Sequence, residues 1–271
     1  MARRHGKHAA LQPQRGVFAF GAAWARAAGM SFADGSSVIF YFTIRLPAGY
    51  HRLHGFGDFP LARTITIVAA VPMVLSVNPS VKANTAKELV DEIKKNPGKY
   101  SYGSAGKGSA LHMAVELLKY QEHLDVVHAS YRGASQAIQS VMSGDLQFIT
   151  DAVSTSAPMI KAGRLKALAV TTGTRSSVLP NVPTMKEAGF PNYETSIWNM
   201  VMVPRGTPAP VIEKLSVALQ QAVKDPEVRE RMEKIGVEPV VDSSPDNAAR
   251  FVQAETRRWA EVIKAGNIQA D

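Results

Sequence analysis

Between Tyr100 and Lys119 the chain sets three glycines (Gly103, Gly106, Gly108) and three serines (Ser101, Ser104, Ser109) directly ahead of an apolar helical pattern. Glycine lets a backbone turn tightly and come close to a ligand, and serine brings a hydroxyl that caps a helix or donates to an anion. The first amides of a helix carry partial positive charge and have no intrahelical acceptor. A loop of this kind therefore suits a carboxylate, phosphate or sulfate. A plain strand-to-helix connection has the same composition, and on these residues alone both readings stand.

Nucleotide motifs fail on inspection. A Walker A loop requires G-x-x-x-x-G-K-[ST], but Gly108 follows Gly106-Lys107, and Ser101 stands where the first glycine belongs. A dinucleotide fingerprint would need glycine at Leu111. A nucleophilic set can be written from Ser109 or Ser104, His112 and Asp151. Residues three apart at a helix start give a base poor access to the nucleophile, however, and no G-x-S-x-G elbow is present. His112, His123 and His128 lack the i, i+4 spacing of a zinc helix, and without cysteine there is no thiolate to help them. Neither a metal nor a cofactor is expected. The basic cluster Lys161 to Lys166 has no interleaved aromatics and reads as a solvated turn, so nucleic acid is not an expected partner.

Those residues need a scaffold, and the composition allows one. The 271 residues are 45% hydrophobic and 20% charged, enough for a folded chain with one large core or two small ones. The formal charge is +8, but residues 1–60 carry seven Lys/Arg against two Asp/Glu, leaving only +3 for the rest. Arg3, Arg4, Lys7 and Arg15 precede the apolar run Gly16 to Ala25, the order of an export signal, which Arg26 closes early. No run of eighteen apolar residues occurs.

Periodicity places the elements. Val38 to Leu46 reads as a strand; Thr64–Val71 and Met73–Val77 read as strands broken by Pro72. Thr85 and Glu88 have capping-box spacing for a helix over Ala86–Lys95. After the glycine loop, Leu111, Ala114, Val115, Leu117 and Leu118 recur at helical spacing, with His112, Glu116 and Lys119 on the other face. Strands at 125–131, 146–150 and 165–171 alternate with helices at 134–142 and 155–161, which predicts βαβ units around a largely parallel sheet. A strand at 194–203 then leads into mainly helical chain: 211–224, a short helix ending at Lys234, and a long one after Ser244-Pro245. A strand is also predicted at 237–241.

Three stretches together resemble the Bug family, the TctC-like substrate-binding proteins of tripartite tricarboxylate transporters. They are Pro97 to Ser109 (PGKYSYGSAGKGS), His128 to Gly133 (HASYRG) and Ile160 to Thr171 (IKAGRLKALAVT). Leu179 to Gly189, Trp198 and Val203 to Pro210 agree, so the resemblance runs from about Thr64 to Lys264. It implies an α/β type II periplasmic-binding-protein-like fold, two lobes with a ligand cleft and hinge, with 61–101 and 201–271 as lobe 1 and 102–200 as lobe 2.

The resemblance also implies a periplasmic protein that captures a small carboxylate for the membrane components of such a transporter, without chemistry. Carried over by motif, the ligand-binding residues are Ser104, Ala105, Gly106, Gly108 and Ser109, then His112, then Tyr131, Gly133 and Asp151 across the second lobe. The family's Pro-Phe-x-x-Gly-Gly-x-x-Asp loop has no match in residues 1–60. The expectation is therefore a divergent segment over 1–60 and a shortened first lobe, as a frame shift or a mis-set start upstream of Thr64 would produce. The competing readings are a non-binding remnant or sensor module, and a serine hydrolase.

Overall fold

The computed structural model describes residues 39–41 and 62–268, all within one unit, Val38–Asp271. Most of the expected divergent segment, including any export signal, lies outside the described residues.

One strand organises the rest. β2, Ala62–Val77, runs sixteen residues without the break expected at Pro72. From Ala62 to Pro72 it pairs antiparallel with β7, Ser196–Pro204, which carries β1, Ile39–Tyr41, on its outer edge. β8, Glu238–Pro239, pairs on the other side of β2 at Ala69 and Ala70. From Met73 to Val77 the partners change to β5, Phe148–Ala152, and β6, Lys166–Val170. Proline cannot donate to a ladder. Pro72 stands at the handover between partners, where a missing N–H interrupts neither ladder.

β3, Ser101–Ser104, lies parallel to β5, and β4, Val127–Ser130, lies parallel to β3. The described residues thus form two sheets joined through β2: β1-β7-β2-β8 and β4-β3-β5-β2-β6. The second is mixed, with a parallel core and β2 running antiparallel through it. Residues 61–101, expected together in one lobe, are divided between the two sheets because β2 changes partners at Met73.

The helices follow from local chemistry. α1, Ala86–Lys95, starts where Thr85 Oγ1 accepts the Glu88 N–H at 3.1 Å, while Glu88 reaches back to the Asn84 N–H at 2.7 Å. It buries Leu89, Val90 and Ile93 in a core with Leu75, Val77, Tyr102 and Phe148. This is second-sheet packing, which assigns α1 to that sheet. α2 covers Ala110–Glu122, α3 Ala134–Ser143 and α4 Val153–Lys161. α5, Ala209–Lys224, and α6, Pro226–Lys234, follow β7.

α7, Pro245–Ala265, straddles both sheets. Ala248 and Val252 pack with Ile67, Met200 and Met202 of the first, and Trp259 and Val262 join the core of the second. This explains one departure from expectation. His112 and Glu116, expected on an outward helix face, are only 5% exposed. Tyr102 lies against them, and Gly266 at the end of α7 comes so close that a Cβ there would meet Glu116 Oε2 at 3.2 Å.

Candidate functional site

β3 and β5 are neighbours whose onward connections diverge. α2 carries the chain from β3 to β4 on one side, and α4 carries it from β5 to β6 beyond β2 on the other. Where connections part in this way, the carboxyl ends of the strands leave a crevice. The glycine loop, residues 104–109, leaves β3 at that point. Ala105, Tyr131 and Ile197 are partly buried side chains packed on one cluster, which includes Met73.

The loop's shape is set by its own polar groups. Gly106 has φ +119° and Gly108 φ +73°, conformations closed to most side chains. Ser104 is fully buried. Its Oγ lies 2.7 Å from His128 Nε2, donates to Gly106 O at 3.1 Å and accepts the Gly106 N–H at 3.2 Å. The Ser104 carbonyl accepts the Tyr131 N–H at 3.0 Å, which ties the exit of β4 to the loop. The Gly108 N–H donates to His112 Nδ1 at 3.2 Å, and the Ser109 N–H donates to Gly106 O at 3.2 Å.

Ser109 caps α2, its Oγ accepting the His112 N–H at 3.3 Å. Its hydroxyl proton is left to donate outward, and the Ala110 and Leu111 amides remain helix-end donors with no intrahelical acceptor. Gly133 begins α3 with no side-chain cap, in extended backbone, and a Cβ there would meet nothing within 4 Å. Asp151 is 1% exposed. Its Oδ2 accepts from the Thr155 and Ser156 hydroxyls in the first turns of α4. Burial raises its pKa, against the pull of those hydrogen bonds.

Beneath the loop lies a cluster that sequence reasoning missed. The His112 and His128 rings are 4.1 Å apart between centroids, and Tyr102 stacks on His128 at 4.9 Å. Glu116 Oε1 accepts from Tyr102 Oη at 2.7 Å and Lys119 Nζ at 2.6 Å, and lies 3.7 Å from His112 Nε2. Burial first, then the neighbouring His112, pushes His128 down to about 4. Burial and Glu116 raise Tyr102. The signal was in the strand register: Tyr102 pairs with His128 between parallel neighbours, so the two side chains share a face.

The hydrolase set is not assembled. His112 turns Nδ1 to Gly108 and not to Ser109 Oγ, and Asp151 is held by α4. Among the described residues no group of three metal-ligating side chains occurs. Within the basic cluster, Lys166 pins the chain ahead of α1 by donating to Val81 O at 2.8 Å and Asn84 Oδ1 at 3.0 Å.

Residues 29–268 match the tripartite tricarboxylate transporter family receptor, TctC. The match starts upstream of Thr64, so the family likeness extends into the segment expected to be divergent. A UPF0065 protein of the tcbD-tcbE intergenic region of Pseudomonas sp. (strain P51) is 33% identical over 76% of this chain and 62% of its own length. Protein BugT of Bordetella pertussis is 30% identical over 74% and 61%. The chain spans about three-fifths of the length of these curated relatives.

Among solved structures, R. palustris Rpa4515 with adipate superposes with a TM-score of 0.73 at 28% identity, covering 91% of this chain and 83% of that one. The periplasmic binding protein BugD gives 0.68 at 31%, covering 78% and 71%. From the glycine loop at a strand-end crevice, the two sheets sharing one strand, and a match over most of its length, the chain belongs to the TctC family of substrate-binding receptors, with their α/β periplasmic-binding fold.

Proposed function

We propose that the protein captures a small carboxylate, a dicarboxylate such as adipate among the candidates, in the crevice at the carboxyl ends of β3 and β5. It then presents the ligand in the periplasm to the membrane components of a tripartite tricarboxylate transporter. The observation that carries this reading is the preorganised loop 104–109 at the switch point, in a fold whose 28%-identical neighbour holds adipate. Preorganised donors bind an anion without a cofactor, because their ordering cost is met on folding.

Within that reading the direct donors are the Ala105 amide, the Ser109 hydroxyl and the end of α2, with Tyr131 and Gly133 facing them. Ser104, Gly106, Gly108 and His112 shape the loop, and Asp151 organises α4. The lobe border falls at Pro72-Met73 and Thr195-Ser196, in place of 101/102. Calorimetry with adipate, citrate and an amino acid tests the reading. One or more of the carboxylates should bind, and Ser109→Ala should weaken that binding about 10- to 150-fold, as loss of one hydrogen bond to a charged group does. Equal affinity in both proteins would move the ligand elsewhere, and no binding across the panel would favour the remnant reading.

A further inference from the structure

The two histidines beneath the loop hold it at two points. His128 Nε2 meets Ser104 Oγ at 2.7 Å where the chain leaves β3, and His112 Nδ1 accepts the Gly108 N–H at 3.2 Å just before α2 begins. A nitrogen that accepts a hydrogen bond carries no proton, so His112 is the Nε2–H tautomer, with that N–H on the side of Glu116 Oε1, 3.7 Å away. The rings lie 4.1 Å apart with 36° between their planes. A charge on either ring would face the other in a part-buried setting, closed on one side by Tyr102.

We propose that His112 and His128 are positioning residues that stack as a neutral pair beneath the ligand loop, so that proton uptake at His112 Nδ1 expels the Gly108 N–H, releases that end of the loop and weakens carboxylate binding. The proposal rests on the loop being the ligand site. The titratable groups facing the pair, among the described residues, are Tyr102 from β3, Glu116 and Lys119 from α2, and Lys107 from the loop itself. Glu116 alone favours a proton on His128. Burial, His112, Lys119 and Lys107 oppose it, which keeps His128 neutral near pH 7. The sign is diagnostic. Added positive charge near a carboxylate would by itself tighten binding in acid, whereas release of the loop loosens it.

The test follows the 15N-labelled full chain by NMR from pH 7.5 to 4.5, reading imidazole tautomers and amide exchange, for wild type, His112→Asn, His112→Ala and His128→Gln. Adipate calorimetry runs in parallel. His112 should be the Nε2–H tautomer. Exchange of the Gly108 amide should rise at least tenfold in His112→Ala, and in the wild type on acidification beyond the rise seen in His112→Asn, while Leu89 and Ile93 amides in α1 stay protected. His112→Asn offers Oδ1 in place of Nδ1 without titrating, so it should hold Gly108 to lower pH, and its adipate affinity should fall less with acid than that of the wild type. The probe's own protonation is common to both proteins.

An Nδ1–H tautomer on His112, or a Gly108 amide indifferent to His112→Ala and to pH, overturns the proposal. So does adipate binding whose pH profile is the same in wild type and His112→Asn. If the Gly108 amide titrates as described but adipate fails to bind at any pH, the positioning role stands and capture of this dicarboxylate class fails.

Discussion

At the scale of single residues, His128 shows how burial turns a titratable group into a pH limit on the fold. A neutral imidazole is favoured in the folded chain, where it is held down to about 4, against about 6.5 when unfolded. Between those values the unfolded chain binds the extra proton. Stability is therefore complete above pH 6.5 and falls as pH drops towards 4. His128→Gln, which keeps a polar partner for Ser104 but cannot titrate, should flatten that part of the stability profile in urea unfolding followed from pH 7 to 4. A slope identical to wild type would assign the acid sensitivity elsewhere.

At the scale of elements, Thr171 shows how one side chain ties crossing strands. It follows β6 and is fully buried. Its N–H donates to Met73 O at 2.9 Å, its Oγ1 accepts the Met73 N–H at 3.2 Å and donates to Thr195 O at 2.6 Å, and its carbonyl accepts the Thr195 N–H at 3.0 Å. Both segments that pass between the sheets meet at this one residue. Thr171→Val keeps the shape but leaves buried partners unpaired, and should cost about 1–3 kcal/mol in denaturant unfolding. Thr85→Ala, which removes the cap of α1, should cost about 1 kcal/mol by the same measurement.

The helices were legible in the sequence because caps and apolar spacing are local. Ala86–Lys95 was read with its observed bounds, and Ala134–Ser143 and the long C-terminal helix to within a residue or so. The continuity of β2 was hidden, since a proline inside a strand reads as a break unless the change of partners around it is known. The buried face of α2 was hidden too, because what covers His112 and Glu116 arrives from α7 and β3. For the site, spacing located the loop, but which donors it keeps for itself depends on His128 and His112, whose partners only the strand register brings together.

At the scale of the whole molecule, α7 couples the two sheets through separate halves of one helix. Trp259 is 3% exposed among Leu75, Tyr102 and Phe148, and its Nε1–H donates to Glu255 Oε2 at 2.9 Å. Trp259→Ala should cost about 3–5 kcal/mol of global stability, read as a lowered urea midpoint. Val252→Ala, in the other half, opens a smaller cavity in the first-sheet cluster. If the helix acts as one rigid strut the two costs should add, and a double mutant that departs from the sum by more than about 0.5 kcal/mol would report communication between the halves.

The same helix sets the order in which the chain can be completed. β2 is made early, yet its first-sheet partner β7 begins at Ser196, and Trp259 and Val262, which seal the second core, come later still. During synthesis Leu75, Val77 and Phe148 must wait for side chains more than a hundred residues downstream. Closure of the second core therefore depends on contacts of long sequence separation and comes late in folding, after α7 has docked.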